Sequence, residues 1–314
     1  MSTLTHLPSL HGPRWVTLRQ HRTTARAFAW FVLVAALGVA AFLVAAGGDP
    51  KSALVRNADT AMSMVLTRST TALALLPALV GAFVAGPLVA RELESGTYTW
   101  LWTQSVTPAR WLAAKLAVAT AVTLTGTAAL VVLFRLARGG LQEVSRMGLV
   151  WHDTAFEMLG PVAVAQCALG IGVGTLVGLL VRRTVPAMVV TGLTVIVTQL
   201  LFTTTLREKL WPVDTVQPKQ LFTGTPGIQV IEEGMLTASG ERIPLDLCFG
   251  PAGAGKPLEE CMAGLGGVRN FADIHPESHF WPLQLVESGL LVLVAGVAVA
   301  VSFRILRRRY GVGA

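Results

Sequence analysis

Six apolar runs constrain this chain more than anything else in it. They fall at 27–46, 71–90, 112–134, 159–181, 185–206 and 283–303. A hydrocarbon core about 30 Å thick is crossed by about 20 apolar residues of α-helix. The runs therefore predict an all-α polytopic membrane protein with six transmembrane helices. Composition agrees: 53% of the 314 residues are apolar and only 14% are charged, where a soluble domain carries about 25% charged residues. Disorder and an ordinary soluble enzyme are excluded on the same ground.

Charges mark the ends of the runs. Arg26 precedes the first, Arg91 follows the second, Arg182 and Arg183 separate the fourth and fifth, and Arg304, Arg307, Arg308 and Arg309 follow the last. An even number of spans puts both termini on one side. With cytoplasmic termini, the inner segments hold Arg14, Arg19, Arg22, Arg26, Arg91, Arg110, Lys115, Arg182, Arg183 and the four C-terminal arginines, against two acids, Glu92 and Glu94. The chain has 25 basic and 18 acidic residues, so the other side keeps 12 basic and 16 acidic ones. Basic residues concentrate on the cytoplasmic side of membrane proteins, which predicts both termini inside. The excess of base thus reads as topology, and no nucleic-acid site is expected. The tryptophans lie near span ends or in connecting segments, as interfacial anchors do.

Four regions follow. Residues 1–26 form a cytoplasmic tail. From Pro13 it reads either as an interfacial helix, with Arg19, Arg22 and Arg26 on one face and Trp15 and Leu18 toward lipid, or as a plain basic flank. Residues 27–206 hold spans one to five. Val44-Ala45-Ala46 resembles a signal-cleavage site, but the first apolar run exceeds the 7–15 residues of a signal peptide, so span one is predicted to remain as an anchor. Residues 207–281 are rich in proline, glycine and acid and predict a long extracytoplasmic loop or small subdomain, with a short strand at Ile228–Ile231 the one regular element suggested. Residues 282–314 hold span six and a basic cytoplasmic tail.

Several local patterns carry chemistry. Gly250-Pro251-Ala252-Gly253-Ala254-Gly255-Lys256-Pro257 nearly spells a phosphate-binding loop, but Pro257 stands where a hydroxyl residue must reach Mg²⁺, so a glycine–proline turn is expected. Cys248 and Cys261 share the outer segment, where disulfides form; a bridge is the favoured reading and two free thiols the other. Cys167 reads as a small core residue. His275 and His279 have metal-like spacing, but two histidines around Pro276 are expected in a solvated loop, and no metal site is predicted. Gly170, Gly174 and Gly178 recur every fourth residue, a stripe that lets helices approach closely, within one subunit or between two. Gln166, Thr198 and Gln199 are polar inside spans; they bond across helices or line a substrate path. Glu287 sits just inside the outer end of span six, near enough to the interface to stay hydrated, or else in a substrate path. No span carries a central charge, which weakens ion-coupled transport.

The cytoplasmic connection after span two is the most informative stretch. Arg91-Glu92-Leu93-Glu94-Ser95-Gly96-Thr97 leaves the membrane, Gly96 permits a sharp turn, and Trp102-Thr103-Gln104-Ser105-Val106-Thr107-Pro108 leads to Arg110 and Lys115, which begin span three. Glu-x-x-x-Gly-Thr, then Thr-Gln-Ser-x-Thr, Arg110 and Lys115, resembles the permease subunit of type-2 ABC exporters, particularly the version common in actinobacteria. Six spans, cytoplasmic termini and a long loop before span six agree. The resemblance implies the transmembrane part of an ATP-driven exporter in a bacterial cytoplasmic membrane. A second permease chain would complete the path, and a separate ATPase subunit would bind ATP and Mg²⁺; this chain would need no cofactor. Glu92, Glu94, Gly96, Thr97, Arg110 and Lys115 would form the elbow that couples to that ATPase. The alternatives are an ion-coupled carrier and a non-transporting sensor or assembly component working through its outer loop.

Overall fold

The computed structural model describes residues 22–49, 51–99, 107–142, 153–220, 227–250 and 257–310. The interfacial helix expected from Pro13, the middle of the elbow from Trp102 to Val106, and most of the phosphate-loop lookalike lie outside the described residues.

Six helical stretches are long and apolar enough to cross a membrane: Phe28–Ala46, Ala53–Ser95, Pro108–Gly139, Val162–Val181, Thr184–Lys209 and Glu277–Arg309. They are spans one to six. Each overlaps one of the predicted runs, and the chain is an all-α polytopic membrane protein in its bundle.

Span two differs from expectation. Residues 53–70 read as part of an outer connection, but they are helical and continuous with the apolar run. Ser52 caps this helix, its hydroxyl accepting from the Val55 amide at 3.2 Å. Arg56, Asp59, Thr60, Ser63 and Arg68 hold hydropathy down, and hydropathy sees only helix that lies in lipid. At about 1.5 Å per residue the rod is about 65 Å long, twice the hydrocarbon thickness, so its start projects beyond the hydrocarbon core. Pro77 cannot continue an unbroken ladder. The rod passes through Leu76–Leu79 into a π-helical turn, Val80–Ala85, before Gly86–Ser95 completes it.

Span four is the most enclosed of the six. Its glycine stripe is used inside this chain. A Cβ on Gly174 would stand 2.5 Å from the Ala85 Cβ, and one on Gly170 3.3 Å from the Gly81 Cα; Gly178 faces the Ala90 amide nitrogen at 3.2 Å. On the opposite side Gly172 meets the Ala295 backbone of span six. Span four is thus a backbone-close filler between spans two and six. Span one is peripheral: Phe42 is its buried residue, and Phe28 nests against Gly126 of span three.

The segment between spans five and six is more ordered than a loop. Four strands, β1 (Asp214–Val216), β2 (Gln229–Thr237), β3 (Arg242–Pro244) and β4 (Gly267–His275), form an antiparallel sheet in the order β1-β4-β2-β3. The short strand suggested at 228–231 is the start of β2. Its burial is intermediate on both faces, so it shows none of the alternation that betrays a half-buried strand. Gly240, at φ 88°, turns β2 into β3. Cys248 and Cys261 are disulfide-bonded and close a small core of Ile243, Leu245 and Met262. The boundary at 207 also moves. Span five stays helical through Lys209, which leaves Arg207 inside the bundle. β4 leads through Pro276 directly into span six.

Candidate functional site

At the end of the bundle where span two finishes and span three begins, Gly86–Ser95 and the first turns of span three pack through Leu88, Leu93, Trp111 and Leu112. Span three begins at Pro108, whose fixed φ suits a first helical turn, and Thr107 caps it by accepting from the Arg110 amide. Trp111 and Lys115 are one turn apart on this helix and both reach Glu92. Lys115 Nζ lies 2.6 Å from Glu92 Oε1, and Trp111 Nε1 donates to Oε2 at 2.8 Å. Lys115 also donates to the Leu88 carbonyl at 3.1 Å. The side chains of Lys115 and Glu92 are only 7% and 16% exposed, so this clamp is sheltered from screening by water.

Glu94 makes a second tie. It accepts from the Thr184 backbone amide at 2.8 Å and from the Thr184 hydroxyl. Thr184 is the first residue of span five, where the free amides of a helix start favour a negative group. Gly96 then turns the chain with φ 71°, and Thr97 bonds the Ser95 hydroxyl at 2.9 Å. Arg91, Thr97 and Arg110 are exposed. The two acids, which the resemblance makes part of a coupling elbow, are thus held by Lys115 and Trp111 and by Thr184. Thr184 gave no signal, and Trp111 read only as an anchor; side-chain partners 19 and 90 residues away are set by tertiary packing.

A second polar cluster lies toward the opposite end of the bundle, where spans five and six meet the sheet. Arg207 meets Glu287 through two contacts, Nε–Oε2 at 3.0 Å and Nη2–Oε1 at 3.2 Å, and reaches Glu157 Oε1 with Nη2 at 3.3 Å. The three side chains are 4%, 0% and 5% exposed. Gln166 bonds Glu157 and accepts from Gln199 Nε2 at 2.9 Å; Gln199 also donates to the Ala74 carbonyl. Glu287 was expected to be hydrated near the interface. Helix Asp153–Met158 covers it, and Arg207 neutralises it. Gln166, Gln199 and Glu287 thus belong to one network, while the Thr198 hydroxyl turns back on its own helix to Thr194. Glu287, which sequence placed just inside span six, is thus joined by Arg207 and Glu157, two charged residues that sequence placed in the connections.

The histidines are also displaced from expectation. His275 ends β4 fully buried rather than in a solvated loop. Its Nδ1 is 3.0 Å from His279 Nδ1 and its Nε2 3.4 Å from the Glu208 carbonyl. His279 Nε2 stands 3.5 Å from Asp214. Burial pushes the His275 pKa below the usual imidazole range. Among the described residues no three His, Cys, Asp or Glu gather as metal ligands. Beside this pair, burial works against the Asp273 carboxylate, but hydrogen bonds from Arg242 and Thr215 outweigh it and hold its pKa low.

Comparison with known proteins places the bundle. A family profile described as ABC-2 membrane transporter related matches residues 23–207, more than half of the chain and spans one to five. No curated protein and no solved structure matches.

Proposed function

Because the chain belongs to the ABC-2 membrane transporter related family, we propose that it is the permease subunit of an ATP-driven exporter, moved by a separate ATPase that docks on the cytoplasmic elbow. The observation that carries this reading is the double tie of the elbow. Glu92 clamps it to span three through Lys115 and Trp111, and Glu94 clamps it to the start of span five through Thr184. A force applied at Gly96 and Thr97 therefore reaches spans two, three and five together. Arg91, Thr97 and Arg110 are the exposed groups from which a docking surface is built; Glu92, Glu94 and Lys115 hold its shape. Hydrolysis in the partner shifts the bundle between inward- and outward-open states by contacting them differently. A second permease chain completes the path, both termini face the cytoplasm, and ATP and Mg²⁺ belong to the partner.

The test uses Glu92→Ala and Arg110→Glu at matched membrane levels, with copurification of the ATPase and transport-linked ATP hydrolysis measured together in proteoliposomes. Both variants should lose association or coupled hydrolysis. Wild-type values for both would remove the elbow from the coupling path.

A further inference from the structure

Among the described residues, the cluster of Arg207, Glu157 and Glu287 has one cation for two carboxylates. Three elements supply it: the end of span five, span six, and the short helix before span four. Each side chain is at most 5% exposed. Glu287 takes the paired contact with the guanidinium, the geometry that binds an ionised carboxylate best. Glu157 receives one longer contact, 3.3 Å, from a nitrogen already shared with Glu287. If both acids were ionised, the site would bury one uncompensated negative charge, which is strongly unfavourable away from water.

The surrounding charges are engaged elsewhere. On span three, Arg135 donates to the Leu159 carbonyl and Arg138 meets Glu277. On the outer part of span two, Asp59 accepts from the Gln142 amide. Glu208, next to Arg207, is half-buried, and its backbone carbonyl, not its carboxylate, meets His275. From span four the neighbour is neutral Gln166, and from span six neutral Gln284, which bonds the Phe156 carbonyl and the Val162 amide. The other face of Arg207 lies over the Phe156 ring at 4.3 Å.

We propose that Glu157 is a proton-binding site that controls the outer end of the permease: one proton on Glu157 keeps spans five and six closed around Arg207, and its release favours their separation. With the proton in place, one guanidinium faces one carboxylate and one neutral acid, so the buried site is uncharged overall. Release of the proton to outer water leaves two carboxylates on one guanidinium. The surplus charge is relieved when the outer ends of spans five and six part and water enters. Burial, opposed by Arg207 and assisted by Glu287, pushes the Glu157 carboxyl above its usual range, which agrees with the geometry. Proton binding here does not depend on the elbow or on any ATPase, so its failure leaves the coupling reading standing, and the reverse holds too.

The experiment is infrared difference spectroscopy on the full chain in lipid nanodiscs, titrated between about pH 5 and 9, the range open to a buried glutamate. Hydrogen exchange of the segment from Phe202 to Leu210 is followed in parallel. Wild type should show the carbonyl stretch of a protonated carboxyl that disappears as pH rises, with faster exchange of the segment over the same range. Glu157→Gln, which keeps size and hydrogen bonding without a titrating proton, should lose the band and hold exchange at its low-pH value. Absence of the band in wild type at every pH overturns the proposal without recourse to any variant. Persistence of the band in Glu157→Gln, or its loss only in Glu287→Gln, overturns the assignment to Glu157. A band that titrates while exchange stays constant overturns the control of the outer end.

Discussion

Glu92 and His275 show how much one side chain's surroundings decide. Glu92 sits in a clamp that excludes most water, so removing it strands the Lys115 ammonium among Leu88, Trp111 and Leu112. Breaking one half of a buried pair typically costs about 3–5 kcal/mol, whereas replacing both halves by apolar groups is near neutral. Glu92→Ala should lower the unfolding midpoint in detergent, and Glu92→Leu with Lys115→Leu should regain most of the loss. If the single variant melts like wild type, the clamp contributes no stability. His275 makes a pH prediction. Its folded pKa lies below the unfolded value of about 6.5, so the unfolded chain binds more protons as pH falls. The stability it contributes is full above that value and is lost as pH drops through the folded pKa. A Nδ1–Nδ1 contact also tolerates one shared proton but not two. Fluorescence of Trp211, which lies edge-on to His279, should report loss of the outer fold at a milder temperature on going from neutral to acid solution. His275→Phe should flatten that dependence.

At the scale of elements, the helix–helix contacts of span four rest on backbone proximity rather than on large side chains. Gly174 is the tightest point of the stripe: the Ala85 Cβ and the Ala85–Gly86 backbone stand within 3.0 Å of where its own Cβ would be. Gly174→Val should therefore force spans two and four apart and cost about 1–3 kcal/mol, the usual range for overpacking. Gly296 of span six faces open space, and Gly296→Ala should leave the melting midpoint unchanged or slightly higher. Equal effects at the two sites would mean that helix propensity, not close approach, governs the bundle. The π-helical turn at Val80–Ala85 sits in the same contact zone. There span two presents Gly81 to Gly170 and to Thr191 and Val195 of span five, so the Gly81 side of the irregular turn is covered by protein, as irregular backbone at membrane depth requires, while Phe83 on its other side is exposed.

For the whole molecule, sidedness is the property on which the proposed function depends. If the termini are cytoplasmic, the sheet lies outside and the elbow faces an ATPase. Ser239 is exposed in the β2–β3 turn. Ser239→Cys should react with a membrane-impermeant thiol reagent on intact cells, with the bonded pair Cys248–Cys261 and buried Cys167 staying silent. Reaction only after lysis would invert the topology and place the elbow outside. The same architecture joins the sheet mechanically to the bundle. β4 runs into span six through Pro276, and His275 touches the end of span five through Glu208. Movement of the outer ends of spans five and six must therefore carry the sheet with it.

The number of spans, their approximate places and the charge asymmetry were legible in the sequence, because hydropathy over 20 residues and basic flanks respond to the bilayer alone and need no knowledge of neighbours. The elbow was legible as a motif, since its turn residues are contiguous. The projecting start of span two was not, because a helix outside lipid carries no apolar run. The sheet was not, because β2 is of intermediate burial on both faces, β4 is buried along its second half, and β1 and β3 are three residues each, so none shows a clear alternation. The disulfide was suggested by two cysteines in one outer segment, but its pairing belongs to the fold. What only the tertiary structure decided is which polar groups meet. Glu92 with Lys115, Glu94 with Thr184, and Arg207 between Glu157 and Glu287 join residues 23 to 90 positions apart, and burial strengthens the Glu92 and Arg207 contacts. A sequence states where charge is placed along the chain; the dielectric around it and the partner facing it exist only once the helices have packed.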